Sequence, residues 1–304
     1  MKNEIRRINT LSELHKIREL DKPKHPLISV VDYAQVKHYA KDNHVNWVQN
    51  FYSIAMKKNI LGKLRYGQQE YDFDEGLMSF LAPEQLLNVI VEKEDGNQSG
   101  WILFFHPDFI WNTSLAETIK QYNFFDYDLS EALFLSAKEE NILQSIFNNI
   151  QTEIDENIDD FSQNIIISQI EVLLNYSERF YKRQFITRKK SNHQVLDKLE
   201  KLLLSCFQDE NMEVNGIPTV HYVADELKIS SPYLTAMLKS LTGLSTQQHI
   251  HQKLIEKAKE KLSTTNLSIS QIAFELGFEH VQSFSKLFKI KTNISPSQFR
   301  NSFN

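Results

Sequence analysis

The sequence predicts an α+β chain of more than one domain: an N-terminal antiparallel β-barrel, a helical block behind it, and an all-α C-terminal domain with two helix-turn-helix units. Three observations lead there. Between Leu27 and Phe105, short apolar runs are separated by Gly, Asp, Asn and Pro, the pattern of many short strands. From Ser136 onward the apolar residues recur at helical spacing instead. From Pro218 to Arg300 one helical unit is written twice.

Composition sets the bounds. A chain of 304 residues has room for about two ordinary domains, each with its own core. Its single cysteine, Cys206, excludes an internal disulfide framework and fits a reducing compartment. Met1 to Leu20 carries charges throughout and lacks the apolar region of a signal peptide, and no run is apolar enough to span a bilayer. The expectation is a soluble, cytoplasmic protein without a membrane partner.

The first domain is expected over residues 1–115. Its strand candidates are Ile28 to Val31, Phe51 to Met56, Leu77 to Leu81, Val89 to Val91 and Trp101 to Phe105, with the polar stretch Glu94 to Gly100 as one connector. Tyr52, Tyr66, Trp101 and Phe104 are candidates to line a ligand cavity, because pockets are mostly apolar and aromatic. The alternative for each is core packing, since barrels fill their interiors with such side chains.

A helical block is expected over residues 116–186. Ser136 and Glu139 form a capping box, followed by Ile142, Ile146, Phe147, Ile150 and Ile154; a second helix carries Ile166, Ile170, Leu173, Leu174 and Ser177 and ends near Phe185. These two helices can simply pack on the barrel, although an apolar stripe does not name its partner. The basic stretch Arg183 to Asn192, with Arg188, Lys189 and Lys190 at its centre, marks the inter-domain linker, bounded at 187–192. A helix from Val195 to Phe207, with Val195, Leu199, Leu202, Leu203 and Cys206 inward, opens the C-terminal domain of residues 193–304.

In that domain Val220, Val223, Ala224 and Leu227 align with Ile269, Ile272, Ala273 and Leu276, the i, i+3, i+4, i+7 stripe of a core-facing helix. With one extra residue in the second turn, Leu234, Met237, Leu238, Lys239, Thr242 and Gly243 fall on Phe284, Leu287, Phe288, Lys289, Thr292 and Asn293. Ser231 as N-cap before Pro232 predicts a helix to about Leu241. Gly243 and Asn293 supply the left-handed residue that ends each second helix. Capping boxes at Ser245 with Gln248, Ser268 with Gln271, and Ser295 with Gln298 restart the chain. Two copies are too few for a solenoid and suit a helix-turn-helix pair. The second helices, Pro232 to Leu241 and His280 to Lys291, are joined by an amphipathic helix bearing Ile250, Leu254, Ala258 and Leu262. Such a connector holds two reading helices about 34 Å apart, one turn of double-stranded DNA.

Charge agrees. The formal net charge is -5, yet Lys228 to Asn304 holds ten Lys or Arg against four Asp or Glu, so the basic residues gather where phosphates would be met. Candidate base contacts are Pro232, Tyr233, Thr235 and Ala236 on the first reading helix, and His280, Val281, Gln282, Ser285 and Lys286 on the second. Thr235 and Ala236 suit thymine methyls, and Gln282 suits adenine. Lys239, Lys253, Lys289 and Arg300 are candidate phosphate contacts.

Over its C-terminal hundred or so residues the chain resembles the AraC/XylS transcription regulators. The likeness is carried by Ile272-Ala273-Phe274-Glu275-Leu276-Gly277-Phe278, Phe284-Ser285-Lys286-Leu287-Phe288-Lys289 and Ser295-Pro296-Ser297-Gln298-Phe299-Arg300. Asn293 departs from the glycine usual there. The resemblance implies a DNA-binding regulator with a cupin-like effector domain, a homodimer and, for an activator, RNA polymerase as a partner. Tyr71 to Gly76 and Phe105-His106-Pro107-Asp108 resemble that type of domain. A metal-dependent cupin enzyme would need closely spaced histidines with a carboxylate; His38, His44 and His106 offer no such pair. No catalytic residue, metal or cofactor is expected. A related DNA-repair methyl acceptor would need further reactive and metal-binding cysteines. An effector-independent DNA binder with a scaffold barrel is the remaining alternative.

Overall fold

A computed structural model describes residues 4–37, 45–58, 65–66, 69–70, 76–88, 99–128, 131–156, 159, 161–187, 189–208 and 216–302. The chain divides into two compact units, Met1–Gln184 and Phe185–Asn304. The strand candidate Val89 to Val91, the stretches Tyr71 to Glu75 and Glu94 to Gln98, the residues His38, His44 and Arg188, and the side chain of Tyr66 lie outside the described residues.

The first unit is built on two sheets. Strands β1 (Glu4–Ile8), β3 (Val45–Gln49) and β8 (Leu86–Asn88) form one. The other has the order β10-β7-β4-β9-β2, from β2 (Ile28–Asp32), β4 (Tyr52–Lys58), β7 (Gly76–Leu81), β9 (Ser99–Phe105) and β10 (Leu133–Leu135). A short hairpin, β5 (Arg65–Tyr66) with β6 (Gln69–Glu70), stands apart. The expected closed barrel is not shown: among the described residues the two sheets do not close on each other. Nor is every ladder antiparallel, since β1 runs parallel to β3. The long interval between them makes that possible, for parallel strands need a crossover.

The five-stranded sheet buries both faces. Val31, Ala55, Ile102 and Phe104 pack with Ile8, Trp47 and Phe51 into one core. The alternate residues, including Ile54, Leu103 and Phe105, are buried on the opposite face. Helix α1 (Leu11–Ile17), capped by Thr10, adds Leu11 and Leu14 to the first core. Neither β1 nor α1 was expected, because the charged first twenty residues conceal a short alternation. Helices α2 (Pro107–Ile110) and α3 (Ser114–Thr118) follow β9, with His106 capping α2 through its ring nitrogen.

Helix α4 (Ala137–Asp155) begins at the expected box, where Ser136 and Glu139 exchange both bonds. Its buried face is Leu143, Ile146, Phe147, Ile150 and Ile154; Leu143 takes the place expected of Ile142. Helix α5 (Ser162–Thr187) buries Ile166, Ile170, Leu173, Leu174 and Ser177, as its stripe requires. The basic stretch expected as a linker is helical on both sides of Arg188, for α6 (Lys189–Cys206) starts at once.

Among the described residues the second unit has helices and no strand: α7 (Val220–Leu227), α8 (Ser231–Thr242), α9 (Thr246–Thr264), α10 (Ile269–Glu275), α11 (Val281–Thr292) and α12 (Pro296–Asn301) follow α6. The boxes at Ser245, Ser268 and Ser295 all form, and Gly243 and Asn293 are left-handed at φ 78° and 64°. One cap is corrected. Ser230, not Ser231, caps α8 by accepting from the Tyr233 N–H, which puts Pro232 in the first turn, where its missing N–H costs nothing.

The repeat extends into the turns. Lys228 and Gly277 occupy equivalent places and are both left-handed, at φ 57° and 77°. The next N–H bonds back to the same alanine in each copy, Ile229 to the Ala224 carbonyl at 3.1 Å and Phe278 to that of Ala273 at 3.0 Å. A Cβ at Gly277 would also stand 2.9 Å from Gly216 Cα. Opposite outcomes are therefore expected for two substitutions. Lys228→Gly should stabilise the full chain by about 0.5–1 kcal/mol, and Gly277→Ala should destabilise it by at least ~1 kcal/mol, both read by circular dichroism during denaturation.

Candidate nucleic-acid interface

In each copy a short first helix buries its stripe beneath a longer second helix. Val223 and Ala224 of α7, and Ile272 and Ala273 of α10, are buried, and the alanines permit the close crossing. From α8, Leu234, Met237 and Leu238 join them; from α11, Phe284 and Phe288 do so, with Phe278 and Phe299 packed at the ends at 5.4 and 5.5 Å.

The connector α9 holds the two copies. Ile250, Leu254, Ala258 and Leu262 are buried along it, as the sequence implies, and Ile255 joins them. At one end the Thr235 and Thr246 hydroxyls meet at 3.0 Å and His249 Nε2 lies 2.8 Å from the Thr242 hydroxyl, tying α8 to α9. At the other, Lys261 pairs with Glu275 of α10 at 2.7 Å, and Arg300 Nε donates to the Leu262 carbonyl at 3.4 Å. A guanidinium there also complements the C-terminal end of the α9 dipole.

These contacts redistribute the candidate residues. Tyr233, expected to face outward, is buried at 5% exposure, its ring edge-to-face on Phe185 at 5.1 Å. Position 233 stands one turn before the buried Met237, on the flank of the same stripe. Pro232, Thr235 and Ala236 are half-buried, and the Thr235 hydroxyl is engaged; Lys239 is exposed. On α11, His280, Gln282, Lys286 and Lys289 are exposed, while Val281 and Ser285 are half-buried. Gln282, Lys286 and Lys289 have the i, i+4, i+7 spacing of one face. Sequence reasoning passed over Ser283, which is exposed in the first turn of α11, where a reading helix meets base edges.

The remaining expected cations are held locally. Lys253 pairs with Glu256 at 3.0 Å, and Arg300 is half-buried as a clamp on α9. Both contacts share a cause: a long cation beside a helix end or an acid one turn away finds a partner within the fold.

Of the pocket candidates of the first unit, the three with described side chains do not converge. Tyr52 stacks on Phe105 at 5.0 Å and meets Phe125 at 5.2 Å, and burial and Asp126 push its hydroxyl pKa up. Phe104 lies on the other face of the sheet, against Phe51 at 5.8 Å. Trp101 pairs with Met56, four residues along β4 from Tyr52. Period-two alternation puts Phe104 on the opposite face from Tyr52, and Trp101 shares the Tyr52 face but stands four residues along the strand from it.

Among the described residues no helix is long and apolar enough to cross a membrane, and no three metal-ligating side chains cluster. Burial pushes the Cys206 thiol pKa up, which disfavours the reactive thiolate.

The chain is similar in sequence to known proteins. The helix-turn-helix domain family HTH_18 matches residues 223–302. The uncharacterized HTH-type transcriptional regulator YfiF of Bacillus subtilis is 24% identical over 286 residues, covering 88% of this chain and 84% of its own. The HTH-type transcriptional activator RhaS of Escherichia coli is 35% identical over 78 residues, 26% of this chain and 28% of RhaS, so the chain spans under a third of that relative. The C-terminal domain of the two-component response regulator yesN from Fusobacterium nucleatum is 32% identical, covering 35% of this chain and 98% of that one, with a TM-score of 0.31. The sequence likenesses support a helix-turn-helix domain in the second unit.

Two imidazoles give this unit a pH dependence. Burial lowers the pKa of His249 against a smaller opposing effect of Glu200, and burial with Lys291 lowers that of His251. A histidine lowered in the fold favours the neutral form there, so its contribution is present above about pH 6.5 and is lost as pH falls below it. Thermal unfolding of the full chain should shift to lower temperature between pH 7 and pH 5, and the double variant His249→Gln, His251→Gln should flatten that slope.

Proposed function

We propose that this protein is a sequence-specific transcription regulator whose helices α8 and α11 enter two adjacent major grooves of double-stranded DNA. The carrying observation is the pair of equivalent helix-turn-helix units on one connector. That connector has 19 residues, about 28 Å at 1.5 Å per residue, comparable to the ~34 Å of one DNA turn. The two reading helices contribute unequally. With Tyr233 buried and Thr235 engaged, α8 offers Pro232, Ala236 and Lys239, suited to methyl and phosphate contact. Helix α11 offers His280, Gln282, Ser283 and Lys286 for hydrogen-bond readout, with Lys289 for phosphate.

In this reading the first unit supplies regulation and assembly. A small-molecule effector binds it, and a second copy of the chain packs along α5, where Phe161, Ile165 and Val172 are exposed along one face at helical spacing. RNA polymerase becomes a partner if the protein activates. A scaffold unit with no effector is the second reading, and the division of the pocket candidates between two sheet faces favours it. A thermal-shift screen separates the two: an effector at 100 times its dissociation constant adds ~2.7 kcal/mol to the unit it binds.

Selection of random DNA by the full chain tests the main reading. Two short boxes one helical turn apart are expected, and nonspecific, salt-sensitive recovery alone would contradict it. Gln282→Ala should relax one base position, a change of ~1–3 kcal/mol in discrimination. Lys289→Ala should weaken binding to all sequences alike and lower the salt slope by about 1. A doubled site for the full chain, reduced to a single site by Val172→Asp together with a halved mass in sedimentation, is expected of the α5 dimer.

A further inference from the structure

In an α-helix a threonine hydroxyl has a default partner, the carbonyl of the preceding turn. The second unit follows that rule at Thr242, Thr264 and Thr292, whose hydroxyls donate to the carbonyls of Leu238, Glu260 and Phe288 at 2.9, 2.8 and 2.8 Å. Thr235, near the start of α8, does otherwise. Its hydroxyl meets that of Thr246, the first residue of α9, at 3.0 Å. Thr246 is wholly buried, whereas Thr235 is half-buried.

That choice of partner orients the rest of the Thr235 side chain. Its hydroxyl and its methyl stand on one stiff, β-branched carbon and occupy staggered positions. With the hydroxyl held against a buried partner, the methyl is what the side chain has left to present outward. A bond to the carbonyl of Ser231, four residues back, would turn that methyl by about 120°. Position 235 shares a face of α8 with Pro232 and Lys239, at i−3 and i+4, and Lys239 is exposed. A threonine methyl on such a face suits one feature of a base edge in the major groove, the 5-methyl group of thymine.

We propose that Thr246 is a specificity-determining positioning residue: it does not touch DNA, and by holding the Thr235 hydroxyl it aims the Thr235 methyl at one thymine of the box read by α8. The proposal rests on the regulator reading above and adds to it a residue that lies in neither reading helix.

Two measurements on the full chain decide it. Without DNA, NMR couplings to the Thr235 methyl should report a single χ1 rotamer. Thr246→Val keeps the side-chain shape and removes the hydroxyl, and should populate a second rotamer; Thr246→Ser keeps the hydroxyl and should keep the single one. With DNA, the box under α8 is the one whose selected sequence Gln282→Ala leaves unchanged. Deoxyuracil in place of a thymine removes the 5-methyl group alone. One such replacement in that box should weaken wild-type binding about fourfold, the contribution of one buried methyl-sized group. The effect should vanish in Thr246→Val and in Thr235→Ser and persist in Thr246→Ser, while replacements in the other box act alike in every variant. An unchanged rotamer in Thr246→Val, an unchanged preference for thymine over uracil in that variant, or an equal loss in both boxes would overturn the proposal. A wild-type chain that selects no site overturns the regulator reading and this proposal together. A well-defined site in which no thymine methyl of the α8 box matters overturns this proposal alone.

Discussion

Burial of one face of α9 is the constraint on which the second unit depends. Helices α6, α8, α10, α11 and α12 all pack against it, and its Ile250, Leu254, Ala258 and Leu262 are each almost wholly removed from water. At roughly 25 cal/mol per Å² of apolar surface, each large aliphatic among them contributes about 1.5–3 kcal/mol. That stabilisation is shared by both copies. Neither short first helix, α7 or α10, is long enough to persist alone, so each copy exists because the connector gives its second helix a floor.

Polar contacts then fix what apolar burial leaves adjustable. A greasy face allows a helix to slide or roll by small amounts, whereas the Thr235–Thr246 and Thr242–His249 pairs at one end of α9 and the Lys261–Glu275 pair at the other accept few positions. These contacts are of modest energy but directional. They stand at the two ends of the connector, where a small rotation would move a reading helix most.

The sequence made much of this legible because helix punctuation is local. A capping box needs only residues three apart, and all four boxes formed. Apolar periodicity identified α4, α5 and α9 with their buried faces. The turns were less legible. Lys228 is left-handed only because Ile229 must reach back to Ala224, and nothing in a lysine announces that; its equivalence to Gly277 carried the signal. In the first unit, strand existence was readable at β2, β4, β7 and β9, while β1, β3 and the parallel pairing were not, because a ladder joins residues some forty apart. Sheet closure and pocket convergence depend on that same long-range register.

Four of the candidate contacts are engaged within the fold. Tyr233, Thr235, Lys253 and Arg300 were read as reaching out, and each is turned to an internal partner. A helical wheel assigns a face but does not include the neighbouring helix ends, where unpaired carbonyls and hydroxyls recruit nearby polar groups. The residues that remain outward, Gln282, Lys286 and Lys289, run along one exposed face of α11 from its first turn to its last. The two copies thus share a scaffold and differ in what they present. In the first, polar groups of the reading helix are used to seat it. In the second, the seat is aromatic, through Phe278, Phe284, Phe288 and Phe299, and the polar face is left for a partner.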